Sequence, residues 1–140
     1  MIVNFELKPE VKKAWQAALR SGEYKQDRSV LRSNNGWCCL GVLADLYIKE
    51  NKNAYWKREV TKTYLLFAPP LQARDIETYL PQVVYDWAGK ATGKEEFNVC
   101  CGPRVSIPDN ERNPFPSLAA LNDSQEYDFN QIADLIEEFL

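Results

Sequence analysis

Two adjacent cysteines, Cys38 and Cys39, are the residues best placed to do covalent chemistry. They follow Gly36-Trp37 and open an apolar stretch typical of a helix, so Cys38 would lie at a helix N-terminus. The helix dipole lowers the pKa of a thiol in that position and favours the thiolate nucleophile. Cysteine hydrolases also need a base, nearly always histidine, and the chain contains none. A cysteine-dependent enzyme centred on Cys38 is therefore an alternative, and a pair of small apolar core residues is the simpler interpretation.

The spacing of the four cysteines argues against a metal site. They stand in two adjacent pairs, Cys38-Cys39 and Cys100-Cys101. Structural zinc sites use Cys-x-x-Cys spacing because it turns both sulfurs toward one ion, whereas adjacent helical residues point about 100° apart. The glycine motifs that bind phosphate or dinucleotides are also absent. We therefore expect no metal, no cofactor and free thiols in a reducing compartment.

A stretch that mixes basic and aromatic residues is the best candidate for ligand binding. It contains Lys49, Lys52, Tyr55, Trp56, Lys57, Arg58, Lys62 and Tyr64. Basic side chains contact phosphates, and aromatic faces offer a platform on which a base can stack. The predicted ligand-binding residues are Arg20, Gln26, Arg32, Tyr55, Trp56, Lys57, Arg58, Asn122 and Asp123. In this hypothesis the arginines or Lys57 grip phosphate, and Trp56 or Tyr55 stacks. The alternative is a solvated surface with the aromatic rings turned inward.

Composition favours a single globular domain that spans residues 1–140. Hydrophobic residues make up 45% of the chain and charged residues 26%, as in an ordinary globular protein. The net charge of −3 argues against duplex nucleic acid as a partner. No apolar run reaches the roughly 18 residues of a membrane span, and Asn4, Glu6 and Lys8 interrupt any signal peptide. We expect no membrane partner. Self-association into a homo-oligomer is an open alternative.

Hydrophobic periodicity predicts about four helices. In chain order their predicted bounds are Pro9 to Gly22, Cys38 to Glu50, Pro81 to Ala88, and Asp128 to Leu140. Pro9 suits a first helical position and Gly22 a left-handed stop. Asp128 and Gln131 have the spacing of a capping box at the start of the last helix. A further short helical turn is predicted at Leu118 to Leu121.

The β content is predicted to be small. Asn34-Asn35-Gly36 is a strong turn signal within a possible hairpin, and Val60 to Phe67 has the composition of a strand. Residues 90–116 hold four of the eight prolines and are predicted to be a long surface loop. The predicted fold class is mainly α (α+β), with about four helices packed around one core and a small β-hairpin or short sheet. The predicted core residues are Trp15, Leu19, Leu40, Leu43, Trp87, Phe129, Ile132 and Ile136.

Several segments together resemble a family of small proteins from bacteriophages and prophages. The first segments have the pattern W-x-x-A-L-R-S-G-x-Y-x-Q, then L-R, then C-C-L-G-V-L, and occupy Trp15 to Gln26, Leu31-Arg32, and Cys38 to Leu43. The later segments are Leu80-Pro81, Trp87 to Gly89, Ser117 to Asp123 (S-L-A-A-L-N-D), Phe129, and Ile132 to Glu137. The resemblance covers about half of the chain and leaves out Cys100-Cys101.

The resemblance implies a setting more than a mechanism. Its members are generally uncharacterised, so no catalytic residue carries over. It implies a non-enzymatic accessory protein in the cytoplasm of an infected bacterium, which binds or sequesters a host factor or a small nucleotide-like signalling ligand in counter-defence. A structural or assembly role in the virion is a further alternative, although the sequence shows no heptads and no repeat.

Overall fold

The computed structural model describes residues 4–58, 63–67, 78–92, 97 and 102–140. Over these residues the helices are α1 (Pro9–Arg20), α2 (Cys39–Glu50), α3 (Gln82–Ala88), α4 (Leu118–Asp123) and α5 (Phe129–Phe139). The strands are β1 (Phe5–Leu7), β2 (Arg32–Ser33), β3 (Gly36–Trp37), β4 (Tyr55–Arg58), β5 (Tyr64–Phe67) and β6 (Gly89–Ala91).

The predicted fold class, mainly α, is wrong, and the described chain has an α+β fold. Its six strands form three antiparallel two-stranded sheets, β1 with β6, β2 with β3, and β4 with β5. Part of the predicted loop at 90–116 is strand β6, whose partner β1 was not predicted either. Strands of three residues carry too little alternation to be recognised, and their pairing joins distant parts of the chain.

The predicted helices form close to their expected bounds. Gly22 has a φ of 78° just beyond α1, as a left-handed stop requires. Asp128 and Gln131 form the predicted capping box, with the Asp128 side chain accepting from the Gln131 N–H. Because α1 is amphipathic, its stripe of Val11, Trp15 and Leu19 packs inward, and α5 lies alongside it.

The core lies between α1, α2 and α5, with α3 and α4 closing its ends. Seven of the predicted core residues are buried: Trp15, Leu19, Leu40, Leu43, Phe129, Ile132 and Ile136. Trp87 is only partly buried, because its indole N–H reaches out to Glu50 at 2.8 Å. No helix in the described ranges has the length and apolar character needed to cross a membrane.

Two hairpins form one edge of the molecule. The predicted turn at Asn34-Asn35 connects β2 to β3, and a bridge between Ser33 and Thr63 joins this hairpin to the β4–β5 hairpin. The predicted strand at 60–67 is found as β5, while 60–62 lie outside the described residues. Strand β4 was not predicted, because its basic residues gave it the appearance of a solvated surface.

Gly41 is the place where α2 meets the chain that leads into the first hairpin. A Cβ at Gly41 would lie 1.8 Å from the backbone carbonyl oxygen of Leu31, and backbone cannot rotate away as a side chain can. At Gly22, by contrast, an added Cβ would meet nothing within 4 Å, and only the positive φ opposes it. Substituting Gly41 therefore tests a steric clash, whereas substituting Gly22 tests backbone strain alone.

We predict that Gly41→Ala lowers the free energy of unfolding by at least about 2 kcal/mol more than Gly22→Ala does. Urea unfolding followed by tryptophan fluorescence measures both variants against the unsubstituted protein. Equal losses in the two variants would contradict the close packing of α2 against Leu31.

Candidate functional site

An arginine surrounded by aromatic rings lies where the two hairpins meet. Arg32 and Trp37 are directly opposed in the β2–β3 hairpin, and Arg58 and Tyr64 are directly opposed in the β4–β5 hairpin. Directly opposed residues share one face of a sheet, as do residues two apart on a strand, so Trp56 lies on the same face as Arg58. We call this group the arginine–aromatic site: Arg32, Trp37, Trp56, Arg58 and Tyr64.

The guanidinium of Arg32 packs against the rings of this site. Its Cζ atom lies 3.9 Å from the ring centroid of Tyr64, 4.3 Å from that of Trp37 and 5.8 Å from that of Trp56. These distances place Arg32 in cation–π contact, which stabilises the charge and holds the guanidinium plane. Within the described ranges, no group accepts a hydrogen bond from the Arg32 side chain. Its N–H edge is therefore free to receive an anion.

Asp45 on α2 fixes the rings beneath Arg32. Its carboxylate accepts from the Tyr24 hydroxyl at 2.6 Å and from the Trp56 indole N–H at 3.2 Å. Lys49 donates to the Tyr24 hydroxyl at 3.0 Å and lies 3.7 Å from Asp45. Burial and the hydrogen bond to Asp45 raise the pKa of Tyr24, so its hydroxyl stays protonated and donates. The negative charge of Asp45 is thus committed to this network.

The aromatic rings also brace one another. Trp37 meets Tyr24 edge-to-face at a centroid distance of 5.1 Å and meets Trp56 in the same way at 5.6 Å. Such arrangements are preferred by aromatic quadrupoles. The ring–ring contacts therefore hold the aromatic side chains that pack against Arg32 in a defined orientation.

Two of the predicted ligand residues lie on the opposite face of β4. Tyr55 pairs with Phe67, and their ring centroids are 5.1 Å apart, while Lys57 pairs with Leu65. Tyr55 is 51% exposed. Because alternate strand residues point to opposite faces, the structure does not bring Tyr55 and Lys57 together with Trp56 and Arg58.

Three further predicted residues, Gln26, Asn122 and Asp123, form a polar network centred on the buried Asn122 side chain, away from the arginine–aromatic site. The Asn122 side-chain oxygen accepts from the Gln26 side-chain amide at 3.0 Å and from the Cys39 backbone N–H at 3.2 Å. Its amide nitrogen donates to the Asp27 carbonyl at 2.9 Å and to the Asp123 carboxylate at 3.2 Å. Asn122 is completely buried with both polar ends satisfied, which indicates a structural role.

The last predicted ligand residue, Arg20, ties α1 to α5. Its guanidinium lies 2.6 Å from the Asp134 carboxylate and donates to the Asn130 carbonyl at 3.4 Å. The structure therefore does not bring Arg20 to the arginine–aromatic site. Of the nine predicted residues, it gathers Arg32, Trp56 and Arg58.

A family model matches residues 7–140, which contain every residue of the arginine–aromatic site. The chain belongs to the family described as Domain of unknown function (DUF8296). No curated protein and no solved structure matches it. The side chains of this DUF8296 protein are therefore the basis for proposing its function.

Sequence reasoning did not include Trp37 and Tyr64 among the ligand-binding residues, and it missed Tyr24 and Asp45, which support the site. The available signal was Asp45, an acidic residue in the otherwise apolar stretch from Cys39 to Ile48. A carboxylate in such a stretch needs hydrogen-bond donors, and the nearby aromatic hydroxyl and indole N–H groups supply them. Spacing alone could not show which aromatic residues those were.

A cavity elsewhere in the DUF8296 protein has the size of a ligand pocket without a clear chemical preference. Its volume is about 320 Å³, and it lies between α1, α2 and α3 beside Trp87. The charged residues that line it are two lysines and two glutamates: Lys8, Lys49, Glu10 and Glu50. These charges balance, and Glu50 is already bonded to Trp87. The cavity gives no basis for naming a ligand class.

The adjacent cysteines are buried at the start of α2. Cys38 is the N-cap, and its sulfur accepts from the Gly41 backbone N–H at 3.3 Å. Burial raises the pKa of the Cys38 thiol to about 12, and burial also raises that of Cys39. Both shifts run opposite to what a nucleophilic thiolate needs. Cys100 and Cys101 lie outside the described residues, and within the described ones no metal-binding group of three or more acidic or cysteine side chains assembles.

We predict that Cys38 and Cys39 resist alkylation in the folded protein. Because their thiols are buried and their pKa values are raised, iodoacetamide at pH 7 should modify them at least about a hundredfold more slowly than in urea. Peptide mass mapping assigns the label to each cysteine. Fast labelling of Cys38 in native protein would contradict this prediction and would support the alternative of a cysteine-dependent enzyme centred on Cys38.

We also predict that Asn122→Ala lowers the free energy of unfolding by about 3 kcal/mol or more, because it leaves buried donors without acceptors. Asn130→Ala, an exposed first-turn position of α5, is the matched control and should change it by less than about 0.5 kcal/mol. Chemical denaturation measures both. A loss below about 1 kcal/mol at Asn122 would mean that water replaces the network.

Proposed function

We propose that this DUF8296 protein is a non-enzymatic binding protein that holds a small nucleotide-like ligand by its phosphate at the arginine–aromatic site. The observation that carries the proposal is Arg32, a half-buried guanidinium fixed over Tyr64 and Trp37 whose N–H groups meet no acceptor in the described structure. A fixed guanidinium fork matches phosphate oxygens bidentately.

The surroundings of Arg32 favour an anion over a cation. Arg58 lies on the same face through its pairing with Tyr64, so the site carries two permanent positive charges. The nearby carboxylate of Asp45 is bonded to Tyr24 and Trp56, and Lys49 lies beside it. The free charge that faces a ligand is therefore positive.

The site also offers aromatic surface for the remainder of a nucleotide. Trp56 and Tyr64 are partly exposed on the face that carries both arginines. A base or sugar could pack against their rings while the phosphate meets the guanidinium groups. Tyr55, the other predicted stacking residue, lies on the opposite face and has no part in this proposal.

The biological setting that we propose is sequestration of such a ligand in the cytoplasm of an infected bacterium. Its support is the resemblance to phage and prophage proteins together with buried thiols that suit a reducing compartment. Binding of a host protein is the other form of the accessory role. We favour the nucleotide-like ligand over a host protein, because Arg32, packed against Trp37 and Tyr64, suits a phosphate group.

The test is isothermal titration calorimetry with adenosine and guanosine nucleotides, cyclic and linear, at about 50 mM salt. We expect at least one to bind with a Kd below about 100 µM. Arg32→Ala and Arg32→Lys should each weaken that affinity about tenfold or more, because the lysine keeps the charge without the planar fork.

Arg20→Ala is the matched control, because it removes the same charge at a position bonded to Asp134. Its affinity should stay within about twofold of the unsubstituted protein. The proposal fails if no nucleotide binds, or if Arg32→Ala binds as tightly as Arg20→Ala. Circular dichroism confirms that each variant is folded.

A further inference from the structure

Arg32 and Arg58 approach one aromatic ring from different strands. Arg32 lies over the ring of Tyr64, with its Cζ atom 3.9 Å from the centroid. Arg58 is the direct cross-strand partner of Tyr64, so their Cβ atoms are about 5 Å apart on the same face. The long side chain of Arg58 can therefore reach the group that the guanidinium of Arg32 contacts.

The two arginines differ in what holds them. Arg32 is half-buried and packed against rings, whereas Arg58 is exposed and no described group accepts a hydrogen bond from it. One guanidinium is thus held by its ring contacts, and the other is exposed on the same face. We call this pair of arginines the clamp.

We infer that the clamp selects a terminal phosphomonoester over a phosphodiester. A monoester presents three unesterified oxygens and carries a charge near −2 at neutral pH. A diester has only two such oxygens and a single negative charge. Arg32 can take two oxygens bidentately and leave a third for Arg58, and this third contact exists only in the monoester. The inference rests on the proposed function and adds the class of phosphate.

Its test compares adenosine 5′-monophosphate with adenosine 3′,5′-cyclic monophosphate, which share base and sugar and differ in phosphate class. Calorimetry should show the monoester binding about tenfold or more tightly. Arg58→Ala should remove most of that preference by weakening the monoester, while the affinity of the cyclic diester changes by less than about twofold.

Lys57→Ala is the matched control, since it removes one positive charge from the same strand on the opposite face. It should preserve the preference for the monoester. Equal or tighter binding of the cyclic diester, or a preference unchanged by Arg58→Ala, overturns the inference while Arg32-dependent binding still supports the proposed function. If neither adenosine nucleotide binds, the guanosine 5′-monophosphate and 3′,5′-cyclic monophosphate pair decides the inference in the same way. Binding of no adenosine or guanosine nucleotide overturns both the inference and the proposed function.

Discussion

The arrangement of the site depends on the hydrogen bonds of one side-chain amide, that of Asn122. It is completely buried, and its two polar ends make four hydrogen bonds, three of them to two other parts of the chain and one to the neighbouring Asp123. A buried amide left unsatisfied costs on the order of 1–3 kcal/mol per group, so alternative positions of these segments are disfavoured. The network therefore specifies one arrangement of α4, the chain after α1 and the start of α2.

The constraint passes from Asn122 to the arginine–aromatic site through backbone contacts. Asn122 accepts from the first N–H of α2 at Cys39, whose carbonyl in turn accepts from the Trp15 indole. Two residues later, Gly41 lets the Leu31 backbone lie directly against α2. Arg32 is the next residue, and its position over Trp37 and Tyr64 follows. Segments that are far apart in sequence thus meet in space and position an arginine.

The sequence could predict the parts of this structure that depend on local pattern. The helices follow from their apolar periodicity and from end signals such as Asp128 with Gln131, and the first hairpin follows from its turn. Strands β1 and β6 could not be predicted, because a run of three residues shows no period and their pairing joins segments about eighty residues apart in sequence. The role of Asn122 was hidden for the same reason, since its partners Gln26 and Cys39 are distant in sequence.

The candidate site was predictable in composition and not in geometry. The basic and aromatic stretch does supply Trp56 and Arg58, but strand alternation sends Tyr55 and Lys57 to the other face. Once β4 is known to be a strand, a period of two separates the two pairs without further information. The contact of Arg32 with the ring of Tyr64 on β5 depends on the bridge between the two hairpins.

Desolvation explains why the arginine, and not the cysteine pair, is the group left available for chemistry. A pKa of about 12 for Cys38 corresponds to roughly 4 kcal/mol against the thiolate, whereas a helix N-terminus returns at most about 2 kcal/mol. The buried Cys38 thiol therefore stays protonated and neutral. A guanidinium cannot lose its charge, so Arg32 must keep aromatic faces, water or an anion around it. The rings supply the faces, and because no described group accepts from the Arg32 N–H edge, that edge is where we propose that an anion binds.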